Sequence, residues 1–134
     1  MYTIIMDKYK NLNTTVRTSL YQNESMVDKI QFLIPPLYND EDLSEYKVTL
    51  KYVDPNGNFH TEVLTLDADL YKDYLRYELP VITNLTQVSG TITVRLTLTK
   101  SDNESVDKLE TNSTTISIQR PNGFVDYIPN EDAP

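Results

Sequence analysis

One histidine and a few clusters of carboxylates are the residues of this chain that could do chemistry. His60 lies between Phe59 and Thr61, with no second histidine, no cysteine and no Ser–Asp partner motif beside it. Zinc sites and nucleophilic triads need such partners, so His60 reads as a surface strand residue. The carboxylates gather at Asp40-Glu41-Asp42, at Asp67, Asp69 and Asp73, and at Glu131-Asp132. Calcium takes roughly six to eight oxygens from a shaped loop. Asp54-Pro55-Asn56-Gly57-Asn58 opens in that manner, but its glycine comes early and no glutamate follows at the right distance. Two carboxylates facing across a groove could cleave a glycoside, yet nothing here selects a pair. The clusters therefore read as solvated loops, and the chain is expected to have no catalytic residue, no metal ligand and no cofactor.

Tyr71, Tyr74 and Tyr77 could offer ring faces to a sugar or a base. Tyr71 and Tyr74 have helical spacing, which is commoner in a core than in a binding platform. Asn-x-Ser/Thr triplets begin at Asn13, Asn23, Asn84, Asn103 and Asn112. They would matter only in a secreted eukaryotic chain. The start, Met1 to Asp7, has neither a basic nor a long apolar stretch, so no secretory signal is expected.

Composition narrows the classes further. The 134 residues carry a net charge of -8, with 12 basic and 20 acidic side chains. Nucleic acid is disfavoured, because its affinity comes mainly from Lys and Arg on phosphates. The absence of cysteine excludes disulfides and thiolate sites. Three glycines leave no phosphate-cradling loop. No apolar run approaches the roughly 18 to 20 residues of a membrane span.

Period-two alternation dominates the rest of the chain. Tyr46, Val48, Leu50 and Tyr52 alternate with Lys47, Thr49 and Lys51, the pattern of a half-buried strand. The turn formers Asp54-Pro55-Asn56-Gly57 follow, then Phe59 to Leu66. A symmetric four-residue turn would set Tyr52 against Phe59, Leu50 against Thr61 and Val48 against Val63. A second strong strand runs from Thr91 to Lys100, with Ile92, Val94, Leu96 and Leu98 on one face and threonines on the other. Weaker strands are expected at Tyr2–Met6, Thr14–Tyr21, Lys29–Ile34, Tyr74–Leu79 and Thr114–Gln119. Asp67 to Leu75 could hold one or two helical turns, capped by Asp67. Pro35 to Asp42 and Ser101 to Ser105 read as loops. This predicts an all-β chain, a single antiparallel β-sandwich of immunoglobulin-like architecture with at most one or two short helical turns. Residues 1–128 would form the sandwich and 129–134 an acidic tail or linker.

Several segments resemble a known group. They are Phe32-Leu33-Ile34-Pro35-Pro36-Leu37-Tyr38, Asp42-Leu43-Ser44-Glu45-Tyr46 with the strand after it, Leu70-Tyr71-Lys72-Asp73, Leu75 to Val81, and Gly90-Thr91-Ile92. The chain resembles the N-terminal modules of structural proteins in tailed phages of Gram-positive bacteria, of the baseplate-upper-protein type. The resemblance implies a β-sandwich docking module on the virion, either part of a longer protein or a short accessory protein of the tail, baseplate or capsid surface. It implies other virion structural proteins and further copies of the chain as partners, with no nucleic acid and no membrane. It carries no catalytic residues. Every quoted motif also has a purely structural account: Ile34-Pro35-Pro36 and Leu79-Pro80 end strands, since proline lacks the ladder donor.

The candidate contact residues are Tyr2 and Ile4, on an expected edge strand open to β-augmentation, and Pro35, Pro36, Leu37 and Tyr38, on a proline-stiffened loop. Two other functions fit the same residues. One is a head-fibre or capsid decoration protein. The other is a carbohydrate-binding module for a bacterial surface sugar, using Tyr38 or Tyr71.

Overall fold

In the computed structural model, residues 1–67, 69–102 and 105–120 are described. Burial alternates along the strands in step with the sequence, and this sorts them into two layers. In chain order the strands are β1 (Tyr2–Met6), β2 (Leu12–Val16), β3 (Leu20–Tyr21), β4 (Lys29–Ile34), β5 (Leu37–Tyr38), β6 (Glu41–Asp42), β7 (Lys47–Val53), β8 (Phe59–Val63), β9 (Thr65–Leu66), β10 (Leu75–Pro80), β11 (Gly90–Ser101), β12 (Val106–Glu110) and β13 (Thr114–Gln119). A 3-10 turn at Leu43–Glu45 and one helical turn at Thr83–Thr86 complete the described elements. The first sheet has the order β2-β1-β4-β10-β9. The second has the order β3-β13-β11-β7-β8, with β12 also on β11. β5 and β6 form a separate small hairpin.

One apolar cluster fills the space between the sheets. Tyr2, Ile4 and Met6, then Ile30, Phe32 and Ile34, and Tyr77 with Leu79 supply it from the first sheet. Val48, Leu50 and Tyr52, then Ile92, Val94, Leu96 and Leu98, and Ile116 with Ile118 supply it from the second. The chain is thus the expected all-β sandwich. β4 is buried on both faces: its outward residues Gln31 and Leu33 are also covered, with Gln31 Nε2 donating to Thr3 Oγ1 at 3.3 Å.

Several details differ from the sequence reading, each for a local reason. The sheets are mixed rather than wholly antiparallel, since β1 runs parallel to β4 and β3 parallel to β13. The single strand expected over Thr14–Tyr21 is two: the chain leaves the first sheet after Val16, and buried Leu20 pairs with Ile118 in the second. The β7–β8 hairpin is shifted by one residue, so that Tyr52 opposes His60, Leu50 opposes Glu62 and Thr49 opposes Val63. Its loop spans Asp54 to Asn58, closed by Asp54 N–H to Asn58 O at 2.9 Å, one residue more than a symmetric four-residue turn. The helix expected over Asp67 to Leu75 is absent among the described residues. Lys72 and Asp73 have φ of 48° and 68°, and Tyr71 and Tyr74 exchange backbone hydrogen bonds of 3.0 and 2.9 Å across them. That is a two-residue hairpin turn with left-handed central residues. It feeds β10, whose Leu75, Tyr77 and Leu79 alternate inward as a strand requires. A strand absent from the sequence reading, β12, begins at Val106, directly after the expected Ser101 to Ser105 loop. The tail expected at 129–134 lies outside the described residues.

β11 is served by different neighbours along its length. β7 flanks one side, while on the other β13 pairs with Gly90 to Val94 and β12 with Thr97 to Ser101. Thr111 bridges the handover: its Oγ1 accepts from Leu96 N–H at 2.9 Å, and its own N–H donates to Leu96 O at 3.0 Å. Thr111→Val keeps the shape but removes that acceptor, leaving a buried N–H unpaired at a cost of about 1 to 3 kcal/mol. Urea unfolding should show a lower midpoint with an unchanged slope, the stability extrapolated to water falling by that amount.

Candidate functional site

Several carboxylates are occupied in holding loops. Asp54 is the clearest case. Its Oδ1 accepts from the N–H groups of Asn56 and Asn58, both at 2.9 Å, and its Oδ2 lies 2.9 Å from His60 Nε2. His60 stacks on Tyr52 with ring centroids 4.8 Å apart. The histidine is therefore half-buried and tied into its own hairpin turn, more firmly placed than a free surface strand residue. The aspartate that opened a calcium-like motif has its oxygens turned to the loop's own donors. Asp7 Oδ1 likewise accepts from the N–H groups of Tyr9 and Asn11, at 2.8 and 2.9 Å. Asp42 Oδ1 takes Ser44 N–H at 3.0 Å and Ser44 Oγ at 2.6 Å. Asp67 accepts from Asp69 N–H at 3.1 Å and from the Arg76 guanidinium at 2.6 Å. Among the described residues, no group of three or more His, Cys, Asp or Glu side chains converges as a metal site.

These bonds favour the charged form. The His60 hydrogen bond first, then the turn amides, hold the Asp54 carboxyl below its ordinary 3.8. The bond from Asn11 N–H does the same for Asp7, the Ser44 hydroxyl for Asp42 and Arg76 for Asp67. In the core, burial pushes the Tyr52 and Tyr77 phenols up to about 12.

The candidate contact residues separate into two groups. Tyr2 and Ile4 are 3% and 0% exposed. β1 is flanked by β2 and β4, so the expected edge at Tyr2–Met6 does not exist. Period-two alternation marks which face of a strand is buried, not whether the strand has a neighbour on each side. Pro35, Pro36, Leu37 and Tyr38 do form a projecting arm. Leu37 is 62% exposed, while Tyr38 packs partly on the core. The tip, Asn39-Asp40, has left-handed φ of 47° and 65°. Leu43, buried, closes the base, its N–H donating to Pro36 O at 2.8 Å. Tyr46 Oη donates to Glu41 at 3.2 Å, and Lys100 meets Glu45 at 3.0 Å. Beside the arm is a cleft of about 400 Å³ lined by Tyr38, Glu41, Tyr46, Val106 and Lys108.

Tyr71 and Tyr74, read as core from their spacing, are instead at the surface of the first sheet, whereas Tyr77 is core. With Thr3, Gln31, Leu33 and Lys72 they line a groove of about 240 Å³. Two of the Asn-x-Ser/Thr asparagines are engaged: Asn13 Nδ2 donates to Asp7, and Asn112 Nδ2 to Asn11 Oδ1 at 2.7 Å. Asn103 lies outside the described residues.

The surface missed from the sequence is β8. It ends the second sheet, with Phe59 84% and Val63 59% exposed. The assumed register had turned both residues inward; a five-residue loop was the signal that would have turned them out.

These features define a class, an all-β sandwich bearing stiff loops on a core. No protein-family model matches the sequence, and no curated protein matches it. Among solved structures, the N-terminal domain of phage TP901-1 ORF48 has the same fold, with a TM-score of 0.58 and 12% sequence identity over 88% of this chain and 97% of that one.

The titrations set the limits of stability. A carboxyl lowered by folding stabilises fully above its ordinary value and loses that contribution as pH falls through the lowered one. A raised phenol contributes below its ordinary value of 10.0, and loses that contribution as pH climbs towards about 12. Melting temperature should be flat from about pH 5 to 9 and fall on both sides. Asp54→Asn should lower the plateau and shrink the acid limb, as read by calorimetry across pH.

Proposed function

We propose that this chain is a structural module of a phage particle, a non-catalytic β-sandwich that docks on other virion proteins at the tail baseplate. The observation that carries the reading is the fold shared with the N-terminal domain of phage TP901-1 ORF48 across 97% of that domain. The motifs that resemble baseplate-upper-protein modules support it from the sequence side. The architecture suits the role: function there rests on shape, and carboxylates that close turns leave loops stiff enough to dock without a large ordering cost. Leu37, held out on the Pro35–Tyr38 arm, is the contact residue we assign. Placement on the capsid surface, as a decoration or head-fibre protein, is the nearest alternative.

A second reading has its own observation. The groove lined by Tyr71 and Tyr74 also holds the polar Thr3 and Gln31, a mixture that suits a bacterial surface sugar. Tyr38 lines a different cleft, so the two tyrosines could not serve one sugar site.

Mass spectrometry of purified virions should find the protein in the particle, with immunogold labelling at the tail tip. Leu37→Asp should reduce its incorporation while leaving the melting curve unchanged. Absence from virions would sink the proposal; label on the head would move it to the capsid. For the sugar reading, a glycan array should show saturable binding lost in Tyr71→Ala, and an empty array removes it.

A further inference from the structure

We infer that β8 is a self-complementary edge through which two copies of this chain pair antiparallel, joining their second sheets into one. The inference goes beyond the virion reading and rests on strand geometry alone.

The phase of the β7–β8 ladder fixes which groups face outward. Asp54 N–H bonds to Asn58 O at one end, and Leu64 N–H bonds to Val48 O at the other. Bonded and non-bonded pairs alternate in an antiparallel ladder. His60 and Glu62 therefore turn their backbone groups to Tyr52 and Leu50. Phe59, Thr61 and Val63 turn theirs to the open side, where no described strand pairs with them. Their side chains are the exposed ones of the strand, and those of His60 and Glu62 are half-buried.

An open edge normally carries something that prevents pairing. The other outer strands do. β3 and β9 are two residues long, β2 has a register shift against β1, and β12 exposes Asp107 and Lys108. β8 has five residues, no lysine, no proline and no register shift.

The sequence of β8 reads well against itself. With Thr61 opposite Thr61 on a two-fold axis, each Phe59 meets the other copy's Val63 on the outer face. These are aromatic against β-branched pairs, which favour sheet pairing. On the inner face each His60 meets the other copy's Glu62, an imidazole against a carboxylate. The neighbouring registers are worse. One sets Glu62 against Glu62, like charges directly opposed, and the other overlaps only Phe59 to Thr61. The contact is isologous, so it closes at two copies. Five residues a side is a small interface, so the pair is weak and forms at high protein concentration.

Sedimentation velocity on the full chain, from micromolar to millimolar concentration, tests this. A concentration-dependent dimer is expected, with the amide resonances of Phe59, Thr61 and Val63 shifting as it forms. Thr61→Pro removes an N–H that the monomer does not use, and should weaken the dimer about tenfold or more through the lost central bonds. Phe59→Lys should do likewise, and both should keep the monomer's melting temperature within a few degrees. A monomer at every concentration overturns the inference. So does a dimer that both variants leave intact, since its interface would lie elsewhere.

Discussion

Every peptide group of β11 that leaves water must find a partner, and much of this fold is arranged around that requirement. The strand runs from Gly90 to Ser101, longer than any other strand described, with Ile92, Val94, Leu96 and Leu98 fully buried. β7 satisfies one side in a single register. The other side is shared by β13 and β12, which leaves a gap at Leu96. Thr111 fills it with a hydroxyl and an amide on the same residue. The next residue, Asn112, donates its N–H to Lys10 O at 2.8 Å and its side chain to Asn11. The handover point thus also ties the second sheet to the β1–β2 turn of the first.

Charge has a similar double use. An acidic surface keeps a chain soluble, but a free carboxylate does nothing for shape. Here Asp7, Asp42, Asp54 and Asp67 each accept backbone donors that their loops would otherwise expose. Among the residues that first suggested metal or acid–base chemistry, Asp42, Asp54 and Asp67 are turn closures. Left-handed non-glycine residues at Asn39, Asp40, Lys72 and Asp73 belong to the same economy of loops, because a chain with three glycines must make its tight turns from other residues.

This explains what could be read from the sequence. Strands with clean alternation, Tyr2–Met6, Lys29–Ile34 and Thr114–Gln119, fall where the alternation places them. So does the long strand around Ile92 to Leu98. What escaped depends on neighbours rather than on period. Val106-Asp107-Lys108-Leu109-Glu110 has little apolar alternation, and it is a strand because Leu109 lies opposite Leu98 on β11. The spacing of Leu70, Tyr71, Tyr74 and Leu75 suits a helix, but β10 claims Leu75 for the core. A one-residue error in a loop length reverses every side chain of the following strand, and it hid Phe59 and Val63. Burial of Tyr2 and Ile4 was legible from their pattern; the strands on both sides of them were not. The paired prolines marked the end of β4, but not the small β5–β6 hairpin that follows them.

The two parallel pairings also impose an order of assembly. A parallel partner cannot be reached by a tight turn. β1 must wait for β4, and Leu20 in β3 cannot meet Ile118 until nearly all the described chain has left the ribosome. Until then Leu20 has no partner strand, and the second sheet can form only from β7, β8, β11 and β12. Closing the β3 side is therefore a late, long-range step, of the kind that makes β-rich chains fold slowly. A nascent chain of this design leaves the β4 side of β1 open until β4 emerges, and Leu20 without its strand until β13 does, and those intervals are its exposure to aggregation.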